Sequence, residues 1–432
     1  MRHQALDSNL FIENRAKLTG LLPKNSMAVV NANDVLPTNA DGSLKIIPNA
    51  DLFYLSGVEQ EESILLLYPD AHDPKNREVL FLREPIELLQ IWEGKKLTKE
   101  RAQEISGIGT VKWLSEFPLA LRDAMFSADE VFLNSNEHRR AALTVETRDD
   151  RFIRQCKRDF PLHTYRRLAP LLHQLRAVKS EAEIDLIKKA VEITHKGFDR
   201  LLQFLKPGVT EFEMEAELIH EYTRNRGAFA YTPIIASGAN ACGLHYIDND
   251  QVCHDGDLVL IDTGSNYGNY NSDMTRTIPV SGRFTKRQRE VYDAVLRVMR
   301  ASIAGAVVGK AHRDWHHEAQ MMMNEELLSL GLLTKEEVAE HTRDKPACKK
   351  YFMHGLGHSM GLDVHDVAPL DAPFAPGWVL TVEPGIYLPD EGFAVRLEND
   401  IVITEDGPID LMKDIPVEAE HIESIMQEAA AK

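Results

Sequence analysis

The segment His354-Gly-Leu-Gly-His358-Ser-Met-Gly-Leu-Asp363-Val-His365-Asp366 most constrains what this chain can fold into. Two histidines at i and i+4 would share one face of a helix, as in helical zinc peptidases. Gly355, Gly357 and Gly361 argue against that, because glycine costs about 1 kcal/mol per residue in a helix interior. No glutamate follows His354 to act as base. The stretch reads as strand and tight loop, with strand expected over 358–364 and glycines letting backbone approach a crowded site.

Carboxylates flank that segment on both sides. Asp262 ends the apolar run Leu258-Val-Leu-Ile261, a position where a carboxylate is costly unless paired or metal-bound. Asp273 follows across the turn Asn266-Tyr-Gly-Asn-Tyr270, and a hairpin of that length can bring both carboxylates onto one face. Glu383 follows Val379-Leu-Thr-Val382 and precedes Pro384-Gly385, where proline ends a strand. Glu398 lies in Arg396-Leu-Glu-Asn-Asp400, with Arg396 expected to point to the other side unless a bulge intervenes. Singly, each has an ordinary reading as a turn aspartate, a surface ion pair or a core histidine. Together, four carboxylates and the His358 imidazole suit a pair of divalent cations such as manganese. Such a pair makes a hydroxide near neutral pH and clamps a developing oxyanion, so the indicated chemistry is hydrolysis.

Composition removes other classes. The net charge of −18 repels nucleic acid and anionic membranes, so neither is an expected partner. The four cysteines, Cys156, Cys242, Cys253 and Cys348, form no Cys-x-x-Cys pair, which fits a reducing compartment. There is no apolar run at the N-terminus and none of about 18 residues elsewhere, so neither a secretory signal nor a membrane span is expected. The expected location is the cytoplasm.

The 432 residues suffice for two or three domains. Short apolar runs at 26–30, 63–67, 79–82 and 131–133 read as buried strands, and 10–22 and 114–125 as helices, which is an α/β pattern. A boundary near 165–178 gives one domain over 1–170 and a second over 171–432. The second has an internal symmetry. Capping boxes at Ser180/Glu183 and Thr210/Glu213 open helices over 180–204 and 210–226, followed by strands over 231–237, 257–263 and 273–280. Thr285/Gln288 then opens a helix to 303, and another spans 312–330. Strands over 358–364, 378–387 and 394–404 complete the repeat. Two α-α-β units with the site between them are the simplest architecture.

The blocks Leu244-His245-Tyr246, Ile261-Asp262-Thr-Gly264, Asp273-Met-Thr-Arg276-Thr, His354-Gly-Leu-Gly-His358, Val364-His365-Asp366, Val382-Glu383-Pro-Gly385 and Arg396-Leu-Glu398-Asn-Asp400 resemble those of the metal-dependent pita-bread peptidases. The resemblance is to the Xaa-Pro aminopeptidase (aminopeptidase P) family, with the Xaa-Pro dipeptidases (prolidases) close behind. It covers almost the whole chain, and Pro48-Asn-Ala-Asp51-Leu-Phe-Tyr54-Leu-Ser-Gly57 is similar to the family's N-terminal domain. Two departures stand out. Gly357 stands where many Xaa-Pro aminopeptidases have serine, and Ala368 where glycine is usual.

The resemblance implies an α/β (α+β) protein with an N-terminal mixed-sheet α/β domain and a C-terminal pita-bread domain of two pseudo-symmetric α-α-β halves. It implies release of the N-terminal residue from peptides with proline second, an imide bond that common peptidases handle poorly because proline lacks an N–H and fixes φ. It implies two divalent ions per subunit, manganese first, with cobalt or zinc as substitutes. Asp262 would chelate one ion, Asp273 and Glu398 would bridge both, and His358 and Glu383 would complete the other. A bridging hydroxide would attack the carbonyl before proline while Glu383 shuttles its proton. His365 and His245 would steady the carbonyl oxygen and the tetrahedral anion, with His354 and Arg396 on the proline side. Tyr387 and Trp92 are candidates to contact the proline ring, Trp92 from a neighbouring subunit of a homodimer or homotetramer; otherwise Trp92 is an interface or core aromatic. The alternatives are a prolidase and, against the retention of all five ligand positions, a non-catalytic binding module on the same fold.

Overall fold

The computed structural model describes residues 3–141, 144–369 and 371–431. The chain divides into two compact units, one up to Arg176 and one from Ala177 onward. In the first, six strands form one sheet: β1 (Ser26–Asn31), β2 (Ile64–Leu67), β3 (Glu78–Leu82), β4 (Thr110–Trp113), β5 (Glu130–Leu133) and β6 (Thr164–Arg167). Their order is β4-β3-β2-β1-β5-β6. β1 pairs antiparallel with β2 and parallel with β5, so the sheet is mixed. The central strand β1 is buried at every position, which is why it reads as an unbroken apolar run rather than an alternation. Met27, Val29, Ile64, Leu66, Val79 and Phe81 form a core with Phe117, Leu121 and Phe152 from the covering helices. The helix expected over 114–125 begins with a 3₁₀ turn, Leu114–Glu116, and becomes α-helical at Phe117–Met125 with Pro118 in its first turn, where proline loses no hydrogen bond.

The second unit repeats one plan. The helices Glu181–Phe204 and Glu211–Arg224 pack on each other, as do Lys286–Gly305 and His312–Ser329. Capping sets the starts: Ser180 N donates to Glu183 Oε2 at 2.8 Å, and Thr285 N to Gln288 Oε1 at 2.9 Å. After the first helix pair come β7 (Ala228–Phe229), β8 (Ile234–Ser237), β9 (Leu258–Thr263), β10 (Ser265–Tyr267), β11 (Tyr270–Asn271) and β12 (Met274–Pro279). β9 lies between β8 and β12, antiparallel to both. β10 turns into β11 through Gly268 and Asn269, at φ of 59° and 66°, the left-handed pair that a two-residue hairpin turn requires. After the second helix pair come β13 (Val379–Val382), β14 (Gly385–Leu388), β15 (Phe393–Arg396), β16 (Asn399–Thr404) and β17 (Gly407–Asp410). β13, β16 and β17 share a sheet, and β14 pairs with β15.

Three strand expectations are corrected. Residues 358–364 form no strand: only Ser359 makes a bridge, to Leu380. The buried Asp366 carboxylate folds under Gly361, where a Cβ would overlap it, so the chain coils there instead of extending. The span 378–387 is two strands in different sheets, divided at Pro384, which has no N–H for a ladder. The span 394–404 likewise breaks at Leu397 and Glu398, where Glu398 N leaves its own sheet to donate to Thr275 O at 3.0 Å, tying the two halves together. Among the described residues no helix is long and apolar enough to cross a membrane, and all four cysteines are free.

Candidate metal centre

Where β9 and β12 leave their ladder, two carboxylates meet. Asp262 sits in β9 opposite Ile234 and Thr275, and Asp273 immediately precedes β12. The Tyr231 hydroxyl joins them, 2.6 Å from Asp262 Oδ1 and 2.5 Å from Asp273 Oδ1. From the second half, β13 delivers Glu383 and the β15–β16 break delivers Glu398. The loop bearing His358 is pinned to β13: Thr381 N donates to His358 O at 2.9 Å, His358 N to Thr381 Oγ1 at 3.1 Å, and Glu383 N to Leu356 O at 2.7 Å. A Cβ at Gly357 would overlap the Thr381 carbonyl, so this close approach uses the glycine.

Ligand atoms of Asp273, His358 and Glu398 lie within 4.8 Å of one another. His358 Nε2 is 3.5 Å from Asp273 Oδ2 and 3.7 Å from Glu383 Oε1. Asp262 reaches the group through Tyr231, and its other oxygen accepts from Arg396 Nη2 at 2.5 Å. Arg396 and Glu398 both contact Thr275 Oγ1, at 3.2 and 2.7 Å. They therefore face the same centre, against the expectation that Arg396 points away; the chain leaves its ladder between them, at Leu397 and Glu398.

The donor set fits divalent cations. His358 Nδ1 stands 3.0 Å from the Ser359 carbonyl, which can only accept. The Nδ1 proton is thereby fixed and the Nε2 lone pair is left aimed between two carboxylates, the orientation of a metal-ligating imidazole. The single Tyr231 proton cannot serve both aspartates at once, so a proton or a cation between them has to satisfy the second short contact. Burial, then the neighbouring Asp273, Glu383 and Asp262, hold Glu398 well above the usual carboxylate range. Burial pushes Glu383 up to about 7, and burial with Asp273 beside it holds Asp400 well above its ordinary range. A charge-poor cavity crowded with acids is relieved by cations.

The other expected residues fall into an inner and an outer set. Tyr387 is 1% exposed, and its hydroxyl sits 2.8 Å from both His354 Nε2 and Arg396 Nη1. His354 Nδ1 lies 2.8 Å from the Gly355 carbonyl, so its Nε2 accepts from Tyr387, whose oxygen accepts from Arg396. Burial, then Arg396, depress His354 to about 3. The exposed His365 stacks edge-on over His358 with ring centroids 4.2 Å apart. His245 is exposed. Trp92 is 79% exposed on the helix Glu87–Glu93 of the first unit, which excludes a core role.

Sequence reasoning missed several supports. Tyr231 and Asp400, which accepts from Asp273 N at 3.0 Å, hold the aspartate pair. His312 and His316, one turn apart on the helix His312–Ser329, grip the glycine loop: His316 Nδ1 accepts from Leu356 N at 3.1 Å, and His312 Nε2 lies 2.9 Å from Gly357 O. Burial pushes His316 down to about 4, so it stays a neutral acceptor. The i, i+4 spacing of these histidines was the available signal.

Gly264 supplies a local test. A Cβ there would overlap the Ser272 carbonyl beside Asp273. Gly264→Ala is expected to cost about 1–3 kcal/mol in denaturant unfolding, the scale of overpacking, and to lower metal retention by moving Asp262 and Asp273 apart. Parental stability in that variant would contradict this packing.

Similarity to known proteins agrees with the site. The metallopeptidase family M24 model matches residues 185–405, and the aminopeptidase P N-terminal domain model matches residues 11–132. The Xaa-Pro aminopeptidase of Escherichia coli (strain K12) is 34% identical over 430 residues, covering 96% of this chain and 97% of that one. Xaa-Pro aminopeptidase 3 of Homo sapiens is 31% identical, covering 96% of this chain and 85% of that one. The structure of zinc-substituted E. coli aminopeptidase P in complex with product matches at a TM-score of 0.87 and 32% identity, over 99% of each chain.

Proposed function

The chain belongs to metallopeptidase family M24, and from that premise we propose that it is a metal-dependent aminopeptidase releasing the N-terminal residue from peptides with proline second. The observation that carries this reading is the convergence of Asp273, His358 and Glu398 with Asp262 and Glu383 beside them. Asp262, Asp273, His358, Glu383 and Glu398 would hold two divalent ions. Manganese is the proposed pair, because hard oxygens outnumber the one imidazole. When bound, the ions supply Lewis acidity and an activated nucleophile near neutral pH.

The chain's own groups do the rest. Glu383, beside the centre, takes a proton from the nucleophile and returns it to the leaving imide nitrogen. His365, stacked on His358, and His245, both exposed, donate to the substrate carbonyl oxygen as charge develops on it. Arg396, Tyr387 and His354 form a directed hydrogen-bond chain on the proline side, with Tyr387 as the residue that orients the other two. Asp262 receives the free substrate amine. Trp92, exposed and unspent in the core of its own unit, offers a proline-contacting face to a neighbouring subunit of a homodimer or homotetramer. Residues 1–170 serve as the N-terminal domain and 171–432 as the catalytic one. The free cysteines support a cytoplasmic location.

The deciding experiment is hydrolysis of an Xaa-Pro-Pro tripeptide and an Xaa-Pro dipeptide side by side, with manganese and with chelator. Chelator-sensitive cleavage of the tripeptide is expected; cleavage of the dipeptide alone would make the enzyme a prolidase. His365→Ala is expected to keep its metal and lose turnover by roughly a hundredfold, the scale of one lost oxyanion donor. Turnover near the parent's would remove that role.

A further inference from the structure

His365 presents a difficulty of placement. It is exposed, on a coil that follows three glycines, yet it must stand over the centre. Its neighbour Asp366 is buried, and the Asp366 carboxylate meets Lys179 Nζ at 3.1 Å, each side chain 1% exposed. Asp366 N donates to Ser359 O at 2.8 Å, and Asp366 Oδ1 accepts from Val367 N at 2.9 Å. Lys179 is held in turn by its own N–H on Gly377 O at 2.8 Å. Gly361 closes over the pair: a Cβ there would overlap Asp366 Oδ2 and stand 2.8 Å from Lys179 Cε. Asn271 fastens the same coil, donating Nδ2 to Gly361 O at 3.0 Å and to Leu362 O at 2.9 Å.

A fully buried ion pair is weak evidence for stability, because its desolvation offsets its attraction. Its effect is on conformation: a carboxylate held in a dry site between the Lys179 ammonium and the Val367 N–H has few positions open to it, and residues 365–367 correspondingly few paths. We infer that Lys179, just ahead of the long helix Glu181–Phe204, is a positioning residue for the reaction, acting through Asp366 to hold His365 at the substrate carbonyl. The inference rests on the role given to His365 above.

Lys179→Met alone strands a buried charge and threatens folding. The test therefore uses the paired variant Lys179→Met/Asp366→Asn, which keeps shape and leaves no charge behind, made in the parent and in His365→Ala. Circular dichroism, thermal melting and metal content accompany kcat and KM on an Xaa-Pro-Pro tripeptide. The paired change is expected to lower kcat in the parent on the order of tenfold or more, the cost of misplacing a group that must touch the reacting centre, while metal content holds. In the His365→Ala background it is expected to change kcat less than about twofold, since groups acting as a unit are not additive. An equal loss in both backgrounds, an unchanged kcat in the parent, or a paired variant that fails to fold would overturn the positioning role. If His365→Ala itself turned over like the parent, the reading of His365 would fall first and this inference with it; a slow His365→Ala with additive losses would remove the inference alone.

Discussion

Asp273→Asn is expected to leave the protein folded and inactive, with turnover down roughly a thousandfold, the upper scale of one lost electrostatic stabiliser. The reason lies in what surrounds each oxygen. Asp273 Oδ1 receives Tyr231, Oδ2 faces His358 Nε2 at 3.5 Å, and the backbone N–H is held by Asp400. An amide keeps the shape, but it removes one negative charge from the cation cradle and can point an N–H at the His358 lone pair. Two opposite effects follow. Metal content falls, while the metal-free protein gains stability, because one carboxylate among Glu383, Glu398 and Asp262 no longer opposes burial of the others. The measurement pairs metal analysis with melting in chelator. Full turnover by the variant, at confirmed metal content, would sink the assignment of Asp273 as a ligand.

The acidic cluster was legible because two of its carboxylates end apolar runs. Asp262 after Leu258–Ile261 and Glu383 after Val379–Val382 are carboxylates where burial is already committed, and such positions need a compensating partner. The supports were not legible for the same reason in reverse. Tyr231 approaches Asp262 and Asp273 from 31 and 42 residues away, and no local pattern marks a hydroxyl for a remote carboxylate. Asp400 carried no sign either: β15 ends at Arg396 and β16 begins at Asn399, so no strand parity relates it to Glu398. The same break is why Arg396 could not be placed from its spacing to Glu398; their shared contact with Thr275 Oγ1 places it.

The fold was legible where one face or both is apolar, as in β1 and the long capped helices. It was missed where polar residues carry the element. The helix Arg148–Asp159 buries only Phe152 and Cys156, yet Thr147 with Asp150 opens it by the same capping box that marked Ser180. The edge strand β6 is almost wholly exposed, so its sequence shows no alternation. The coil after His358 resists reading because the Lys179–Asp366 pair that shapes it is made across 187 residues of chain, 366 minus 179.

Removing metal should abolish turnover and also reshape stability against pH. In the metal-free protein Glu383 rises from an ordinary 4.5 to about 7, with burial the largest cause and the neighbouring aspartates adding to it. Glu398 and Asp400 lie well above their ordinary values for the same leading reason. A carboxyl whose folded value is raised gives stability that is fully present below its unfolded value and lost as pH climbs through the folded one. His358, raised by its contacts with Asp273 and Glu383 against the larger effect of burial, acts in the same sense. His354 and His316, depressed to about 3 and about 4 from 6.5, act oppositely, since an unfolded histidine takes up protons below 6.5. Their contribution is complete above that pH. From about pH 6.5 upward only the destabilising groups still titrate, so the metal-free form should melt progressively lower from about pH 6.5 to 8. Bound cations take the place of those protons, and the loaded protein should hold its melting temperature across the same window. The gap opened by chelator is thus expected to widen with pH and to close when a divalent cation is returned, together with recovery of activity. A gap that stayed constant or narrowed would mean that the carboxylates at 383, 398 and 400 are not the groups that the metal discharges.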